Sequence, residues 1–391
     1  MRRRGLEFPL GAGATIDQLK HDPHGLLARL REREPVSWVP PLGGWLVTGY
    51  ELAVRAIRDA ETFTVEDPRF STGQVIGPSM LSLDGDRHAA HRGPFAGPFR
   101  PRAVRDRFEE FVATEAHRLI DGFASRGTAE LRRSFAGPLA AATITRALGL
   151  GRGEVGAVLG WYDAIVAAVT EITAGSPVPR AGADAFDQLR DRLQGVIGSG
   201  ASASLLGAVA EGSPLTPEQI VSDAAVLLFG GIETTEGMIA NTALMLLEQP
   251  EHLERAARDG TALERAIEES LRLEPAAAMV DRFATAGVEL GSATIAQGDL
   301  VHVSITGANR DPAVFPDPDR FDPDRAGVRR HLAFAHGPHV CLGVHLTRLE
   351  ARVGLATLLR RLPNIRLDPD RPSAIQGLVF RKPPELYVGW D

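Results

Sequence analysis

The chain of 391 residues carries 43 Lys and Arg against 50 Asp and Glu, a net charge of -7 at pH 7, with 44% hydrophobic and 24% charged side chains. That composition is ordinary for a globular protein, and its acidic balance excludes general nucleic-acid binding. The single cysteine, Cys341, excludes an intramolecular disulfide and a zinc site built on several thiolates.

No long Ser/Gly/Pro linker, internal repeat or like-charge run divides the chain, so one domain over residues 1–391 is expected. Met1-Arg2-Arg3-Arg4 is basic, but Glu7 and Pro9 interrupt the residues after it, and the continuous apolar core of a signal peptide is missing. No stretch offers about 18 uninterrupted apolar residues, so no membrane span is expected and the expected location is cytoplasmic.

In chain order, Val36 to Val47 reads as a β-hairpin turning on Pro40-Pro41-Leu42-Gly43-Gly44, and Glu51 to Arg58 begins a helical pattern. From about Arg102 to Leu247 the pattern is mostly helical, broken at Gly175-Ser176-Pro177 and from Gly198 to Ser204. Short strands come next at Val288 to Leu290, Ala293 to Ile295 and Leu300 to Ile305. Asp311 to Asp324 is rich in Pro and Asp without periodicity, an ordered coil or loop. A last amphipathic helix runs from about Leu342 to Leu362 and stops at Pro363. The fold class is mainly α with minor β-sheets.

Within the helical stretch, Thr216-Pro217-Glu218-Gln219 is a capping box with Pro in the first helical position, and the pattern continues to Gln249 before Pro250. At 1.5 Å per residue this helix is roughly 50 Å long. Its centre, Ala224 to Ile232, is apolar on every face, which predicts burial. Gly230-Gly231 and Glu233-Thr234-Thr235 interrupt that centre. Each glycine costs about 1 kcal/mol against alanine in a helix interior, and an unpartnered carboxylate costs more. Two readings stay open on the residues alone. One is a tight helix crossing with a buried ion pair for Glu233. The other is a groove where a flat ligand or small gas molecule meets the backbone, beside a carboxylate and hydroxyl that pass protons.

Phe334-Ala335-His336-Gly337-Pro338-His339-Val340-Cys341-Leu342-Gly343 sets the thiol between a Gly-containing loop and a helix start, where unpaired N–H groups and the helix dipole favour a thiolate. Gly337 and Gly343 let the backbone approach a flat partner, and Phe334 can cover the sulfur. His336, His339, Cys341 and His345 could suggest tetrahedral zinc, but their spacing matches no usual zinc pattern.

The same stretch resembles the heme-binding signature of the cytochrome P-450 family, Phe-x-x-Gly-x-x-x-Cys-x-Gly, at every fixed position. Gly230 to Thr235 is similar to that family's oxygen-activating helix motif, and Glu269-Ser270-Leu271-Arg272 to its Glu-x-x-Arg helix. Ala308-Asn309-Arg310-Asp311-Pro312 and Phe321-Asp322-Pro323 resemble the approach to its meander. Asp84, His88 and Arg92 match the propionate-binding helix, and Arg282 the propionate arginine on the strand after Glu-x-x-Arg. The likeness spans nearly the whole chain.

The resemblance implies the cytochrome P-450 fold, with heme b (iron protoporphyrin IX) between the long central helix and the Cys-bearing loop. It implies Cys341 as the metal ligand, pushing electron density onto iron. It implies His88, Arg92, Arg282 and His339 as propionate partners, with Phe334 and Gly343 also at the cofactor. Glu233 and Thr234 become the acid–alcohol pair that delivers protons during oxygen activation, and Glu269 and Arg272 a structural pair. By position, Val75, Ile76, Met80, Phe229, Gly230, Ala276 to Met279 (Ala277 and Met279 foremost), Leu378 and Val379 line the substrate pocket. Glu66, Asp67 and Arg69 could anchor a polar group, or simply lie on the surface.

The implied activity is insertion of one oxygen atom from O2 into a lipophilic or aromatic small molecule by hydroxylation, dealkylation or epoxidation. Same-fold coupling, nitration or dehydration, or a non-catalytic heme sensor, are the alternatives. No reductase module is expected in the chain, so electrons from NAD(P)H would arrive through a ferredoxin reductase and a ferredoxin. Arg87, Arg92, Arg100, Arg102, Arg105 and Arg107 concentrate positive charge that could attract such an acidic partner. Departures from the family pattern are Ala335 and Gly230, where Gly and Ala are usual. Gly93-Pro94 and Gly97-Pro98 should shorten or kink the helix after Arg92.

Overall fold

The computed structural model describes residues 7–173, 177–199 and 204–391. The breaks expected at Gly175-Ser176-Pro177 and Gly198 to Ser204 lie partly outside these residues, as does Met1 to Arg4. Helices α1 (Ile16–His21) and α2 (His24–Arg33) lead into strands β1 (Val36–Val39) and β2 (Gly44–Val47), helix α3 (Tyr50–Arg58), strand β3 (Phe63–Thr64) and helix α4 (Ser71–Ile76). A helical stretch comes next: α5 (Gly85–Ala96) and α6 (Pro101–Asp121), then, past strand β4 (Thr128–Glu130), α7 (Gly137–Ala147), α8 (Val155–Thr173), α9 (Arg180–Gly198), α10 (Leu205–Gly212) and α11 (Pro217–Leu247). After α12 (Pro250–Arg258) and α13 (Gly260–Leu273) come β5 (Met279–Ala284), β6 (Val288–Leu290), β7 (Ala293–Ile295) and β8 (Leu300–Ser304). Helix α14 (Val344–Arg361) and strands β9 (Arg366–Leu367) and β10 (Tyr387–Gly389) complete the chain.

The predicted hairpin forms with Trp38 opposite Trp45. Its partner was not legible: β2 lies parallel to β8, and the sheet runs β1-β2-β8-β5-β3. Strand β4, inside a region read as helical, pairs with β10 from the far end of the chain. Helix α5 is not cut short at Gly93-Pro94. It continues to Ala96 with Pro94 inside it, at the loss of the one bond the Pro94 nitrogen would have made to the Ala90 carbonyl, and Gly97 to Phe99 follow as a 3-10 turn.

The capping box of α11 is present, with Thr216 Oγ1 accepting from the Gln219 N–H at 3.3 Å and Gln219 Oε1 from the Thr216 N–H at 2.8 Å. At 1.5 Å per residue its 31 residues span about 46 Å, and most of them from Ile220 to Leu246 are buried. Helices α7, α13 and α14 pack around it in the main core. Helix α8 and the turn before it, Arg152–Ile172, are long and apolar enough to cross a membrane by length and composition alone, with a mean hydropathy of 1.5, although Glu154, Asp163 and Glu171 interrupt the segment. Its buried positions form one stripe, Val158, Tyr162, Ile165, Ala168 and Ile172, set against the core.

Helix α13 anchors the coil read at 311–324. Arg272 and Glu269 meet at 2.8 Å, both fully buried. Arg272 also donates to the carbonyls of Asn309, Pro318 and Arg320, while Glu269 accepts from Arg325 and the Asp322 N–H. Removing one member strands a buried charge, so Arg272→Ala is expected to cost about 3–5 kcal/mol, read as a lowered urea midpoint. A loss under about 1 kcal/mol would contradict this role for the pair.

Candidate active site

The Cys341 loop is built by short-range constraints. Residues Gly337 to His339 form a 3-10 turn, and the Cys341 N–H donates to the Phe334 carbonyl at 2.8 Å. Gly337 sits at φ +71°, and a Cβ there would meet the Arg58 Cα at 3.0 Å, so the position needs glycine. Ala335 sits at φ +56°, a left-handed conformation that disfavours its Cβ by roughly 1–2 kcal/mol. Arg348 lies 4.7 Å over the Phe334 ring and forms a two-pronged bond to Glu268 at 2.6 and 2.8 Å, which braces the loop from α13. Burial pushes the Cys341 thiol up, and the Gly343 N–H, Arg92 and Arg348 offset only part of that. Desolvation and the polar groups at the helix start thus act on this thiol in opposite directions.

His88, Arg92, Arg282 and His339 converge beside this loop. The rings of His88 and His339 lie 4.4 Å apart, and His339 Nε2 is 2.7 Å from Asp84. Burial raises the Asp84 carboxyl, but bonds from His339, Thr64 and the Val65 N–H outweigh it and leave the group below its ordinary value. Arg92 donates to the Val340 carbonyl at 2.6 Å, tying α5 to the Cys loop. Burial lowers His88 to about 4 and Arg282 to about 10, the latter despite Asp84 and Asp281 nearby.

On α11 the two glycines have separate duties. A Cβ at Gly231 would press on Ile144 of α7 at 3.0 Å, so this residue is the helix crossing. A Cβ at Gly230 would meet nothing within 4 Å, so that residue opens the groove. The helix crossing read from the sequence thus falls on Gly231, and Glu233 has the buried ion pair, while the space beside Gly230 is free for a ligand. The Thr234 hydroxyl donates back to the Gly230 carbonyl at 2.7 Å. Glu233 is buried, accepts from the Tyr162 hydroxyl, and pairs with Lys382 at 2.8 Å.

Around the groove, Val75, Ile76, Met80 and Phe229 are buried in the main core. Ser222 donates to the Ile76 carbonyl at 2.8 Å, and Asp223 accepts from the Met80 N–H at 2.7 Å, so α11 itself holds this wall. Met279 and Leu378 do not belong to it. They line a separate cavity of about 20 Å³ with Leu19, Leu27, Leu42 and Leu46, and Val379 also packs in that N-terminal cluster. Strand alternation is the cause for Met279, which points away from the face that carries Arg282. From the C-terminal segment it is Phe380 that reaches Phe229, edge-on at 5.6 Å, and it is bridged to Ala277. Arg69 pairs with Asp67 and Glu66 with Arg87, so each of the three has an ionic partner within the protein.

A family profile described as Cytochrome P450 matches residues 198–388. The cytochrome P450 monooxygenase PikC of Streptomyces venezuelae is 35% identical over 382 residues, covering 92% of this chain and 88% of that protein. The mycinamicin IV hydroxylase/epoxidase of Micromonospora griseorubida is 34% identical, with 95% and 97% covered. The chain belongs to the cytochrome P450 family. A crystal structure of CYP109E1 from Bacillus megaterium in complex with testosterone matches with a TM-score of 0.85 at 26% identity, covering 97% and 100%. This P450 is thus a heme-dependent monooxygenase that uses O2, draws electrons from NAD(P)H through redox partners, and acts on a small molecule.

Its residues suit the cofactor. His88 Nε2 is buried without a hydrogen-bond partner. Arg282 is buried and donates to the carbonyl of its neighbour Asp281. Both are what a P450 would present to anionic propionates. Among the described residues no cluster of three metal-ligating side chains exists, which removes the zinc reading.

Sequence reasoning missed Tyr162, Phe380, Lys382 and a buried pair, His91 and Asp223, 2.9 Å apart. A signal for the last existed: Asp223 directly precedes the all-apolar stretch of α11. Burial raises Asp223 to about 7 and lowers His91. Between about pH 4 and 7 the folded P450 keeps a proton that an unfolded Asp223 would have released, so this group costs stability increasingly as pH rises through that window. Asp223→Asn keeps an acceptor for the Met80 N–H. Its urea midpoint relative to wild type is expected to rise between about pH 5 and pH 8. A pH-independent difference would contradict the shift.

Proposed function

We propose that this P450 hydroxylates, dealkylates or epoxidises a lipophilic or aromatic small molecule, with Cys341 as the residue that would hold the heme iron and Glu233 and Thr234 as the proton-delivering pair. The observation that carries the reading is the meeting of two buried, under-partnered groups, His88 Nε2 and Arg282, beside the Cys341 loop. His88, Arg92, Arg282 and His339 would hold the propionates, and Phe334 and Gly343 would complete the cofactor site. Heme, when bound, supplies the iron at which O2 is reduced, and the thiolate enriches it in electrons.

Thr234 has its hydroxyl one turn from Gly230, where the helix wall is open; its one O–H donates to the Gly230 carbonyl and swings from it to hand a proton into the groove. Glu233 is the adjacent acid, and the apolar wall of Val75, Ile76, Met80, Phe229 and Phe380 keeps bulk water from the same space. That wall favours a lipophilic substrate, in kind like the testosterone bound to the Bacillus megaterium relative. Electrons come from a separate ferredoxin and its reductase. Arg100, Arg105 and Arg107 are exposed near the Cys341 side, with Val340 40% exposed, as a docking face for an acidic donor. Arg87 and Arg102 contribute less, since Glu66 and Asp106 pair with them. We assign the protein to the cytoplasm, as one domain served by separate electron donors.

The carbon monoxide difference spectrum of the reduced protein is expected to show the strongly red-shifted Soret band of a thiolate-bound heme. Bound heme without that shift would remove Cys341 as the ligand. Thr234→Ala is expected to keep that spectrum while diverting most electrons to hydrogen peroxide, measured as peroxide released per NADPH. Tight coupling in that variant would refute the assignment of Thr234.

A further inference from the structure

Glu233 and Glu236 lie three residues apart on α11, facing the same side, and both are buried. Lys382 Nζ stands between them, 2.8 Å from Glu233 Oε1 and 2.5 Å from Glu236 Oε2. Arg132 Nε takes the other oxygen of Glu236 at 2.8 Å, and the Tyr162 hydroxyl takes the other oxygen of Glu233. Two carboxylates thus face two cations, supplied by the segment before α7 and by the C-terminal segment.

The backbone of Lys382 is held independently of these acids. It exchanges two hydrogen bonds with Gln376, and its neighbour Arg381 is bonded to Glu274 and to the carbonyls of Lys20, Gly377 and Ile375. The cation is therefore a fixed post between two acids. A carboxylate that serves the groove must loosen its hold on this post, and a cation left behind alone in the interior would oppose the move. Glu236 removes that obstacle, because Lys382 keeps one carboxylate throughout.

We propose that Lys382 is a counter-ion shared between Glu233 and Glu236, and that Glu236 is the positioning residue that lets Glu233 turn toward the groove. The inference rests on Glu233 acting as the proton-delivering acid. Without Glu236, Lys382 has Glu233 as its one carboxylate and grips it. With both Glu236 and Lys382 neutralised, Glu233 is released again.

Two readouts test this on the heme-loaded protein. The first is hydrogen peroxide released per NADPH consumed, driven by a surrogate ferredoxin and its reductase without added substrate. Glu236→Gln is expected to raise that ratio about two-fold or more, and Lys382→Met/Glu236→Gln to bring it back toward wild type, a non-additive pattern. The second is thermal stability, where the double variant is expected to lose less than the sum of the two single losses. An unchanged ratio in Glu236→Gln, or strictly additive effects in either readout, would overturn the proposal. Glu233→Gln separates the underlying reading: a wild-type ratio there would remove Glu233 as the acid, whatever Glu236→Gln does.

Discussion

Helix α11 crosses the interior carrying Asp223, Glu233, Glu236 and Asn241, and the rest of the structure is arranged to meet them. All four are buried, and a charge left there without a partner costs several kcal/mol. Asp223 takes His91 from α5 and the Met80 N–H from the distal wall. Glu233 takes Tyr162 from α8, Lys382 serves both acids, and Arg132 completes Glu236. Asn241 donates to the carbonyls of Glu274 and Arg381. Elements far apart in the chain are thereby fixed to one rod, whose groove at Gly230 is placed as firmly as the rod itself.

A second set of acids, on and just past α13, fixes the opposite wall. Glu268 is held near 2, because His331 and Arg348 outweigh its burial, and Arg348 in turn covers Phe334. Glu274 is likewise held near 2 by His24, Arg381 and Arg310, which joins α2, the coil after the short helical turn Ile305–Ala308, and the C-terminal segment. Glu269 holds Arg272 and Arg325. The Cys341 loop is therefore rigid through its neighbours, while its own strained residue, Ala335, disfavours it locally.

Much of the site was legible because its chemistry is local. The signature around Cys341, the glycine pair with Glu233 and Thr234, and the spacing of His88 and Arg92 each depend on a few adjacent residues. Side-chain direction was less accessible. Met279 and Leu378 were assigned to the pocket by position in the chain, yet their side chains pack with the N-terminal helices in another cluster. Tyr162 and Lys382 carry no signal of their own, since a tyrosine in an apolar helix or a lysine before two prolines reads as ordinary core or surface.

The sequence by itself determined the family, the mainly helical architecture, the position of the thiol and the long buried helix, since periodicity, caps and contiguous motifs are written in neighbouring residues. Only the tertiary structure decided what those residues meet: β2 beside β8, Gly231 against Ile144 while Gly230 stays open, and Lys382 between Glu233 and Glu236. It also decided which groups surround Cys341, with burial raising its thiol and Arg92 and Arg348 lowering it. Desolvation and ion pairing depend on which distant segments close over a group, and that is a property of the packed chain rather than of any stretch within it.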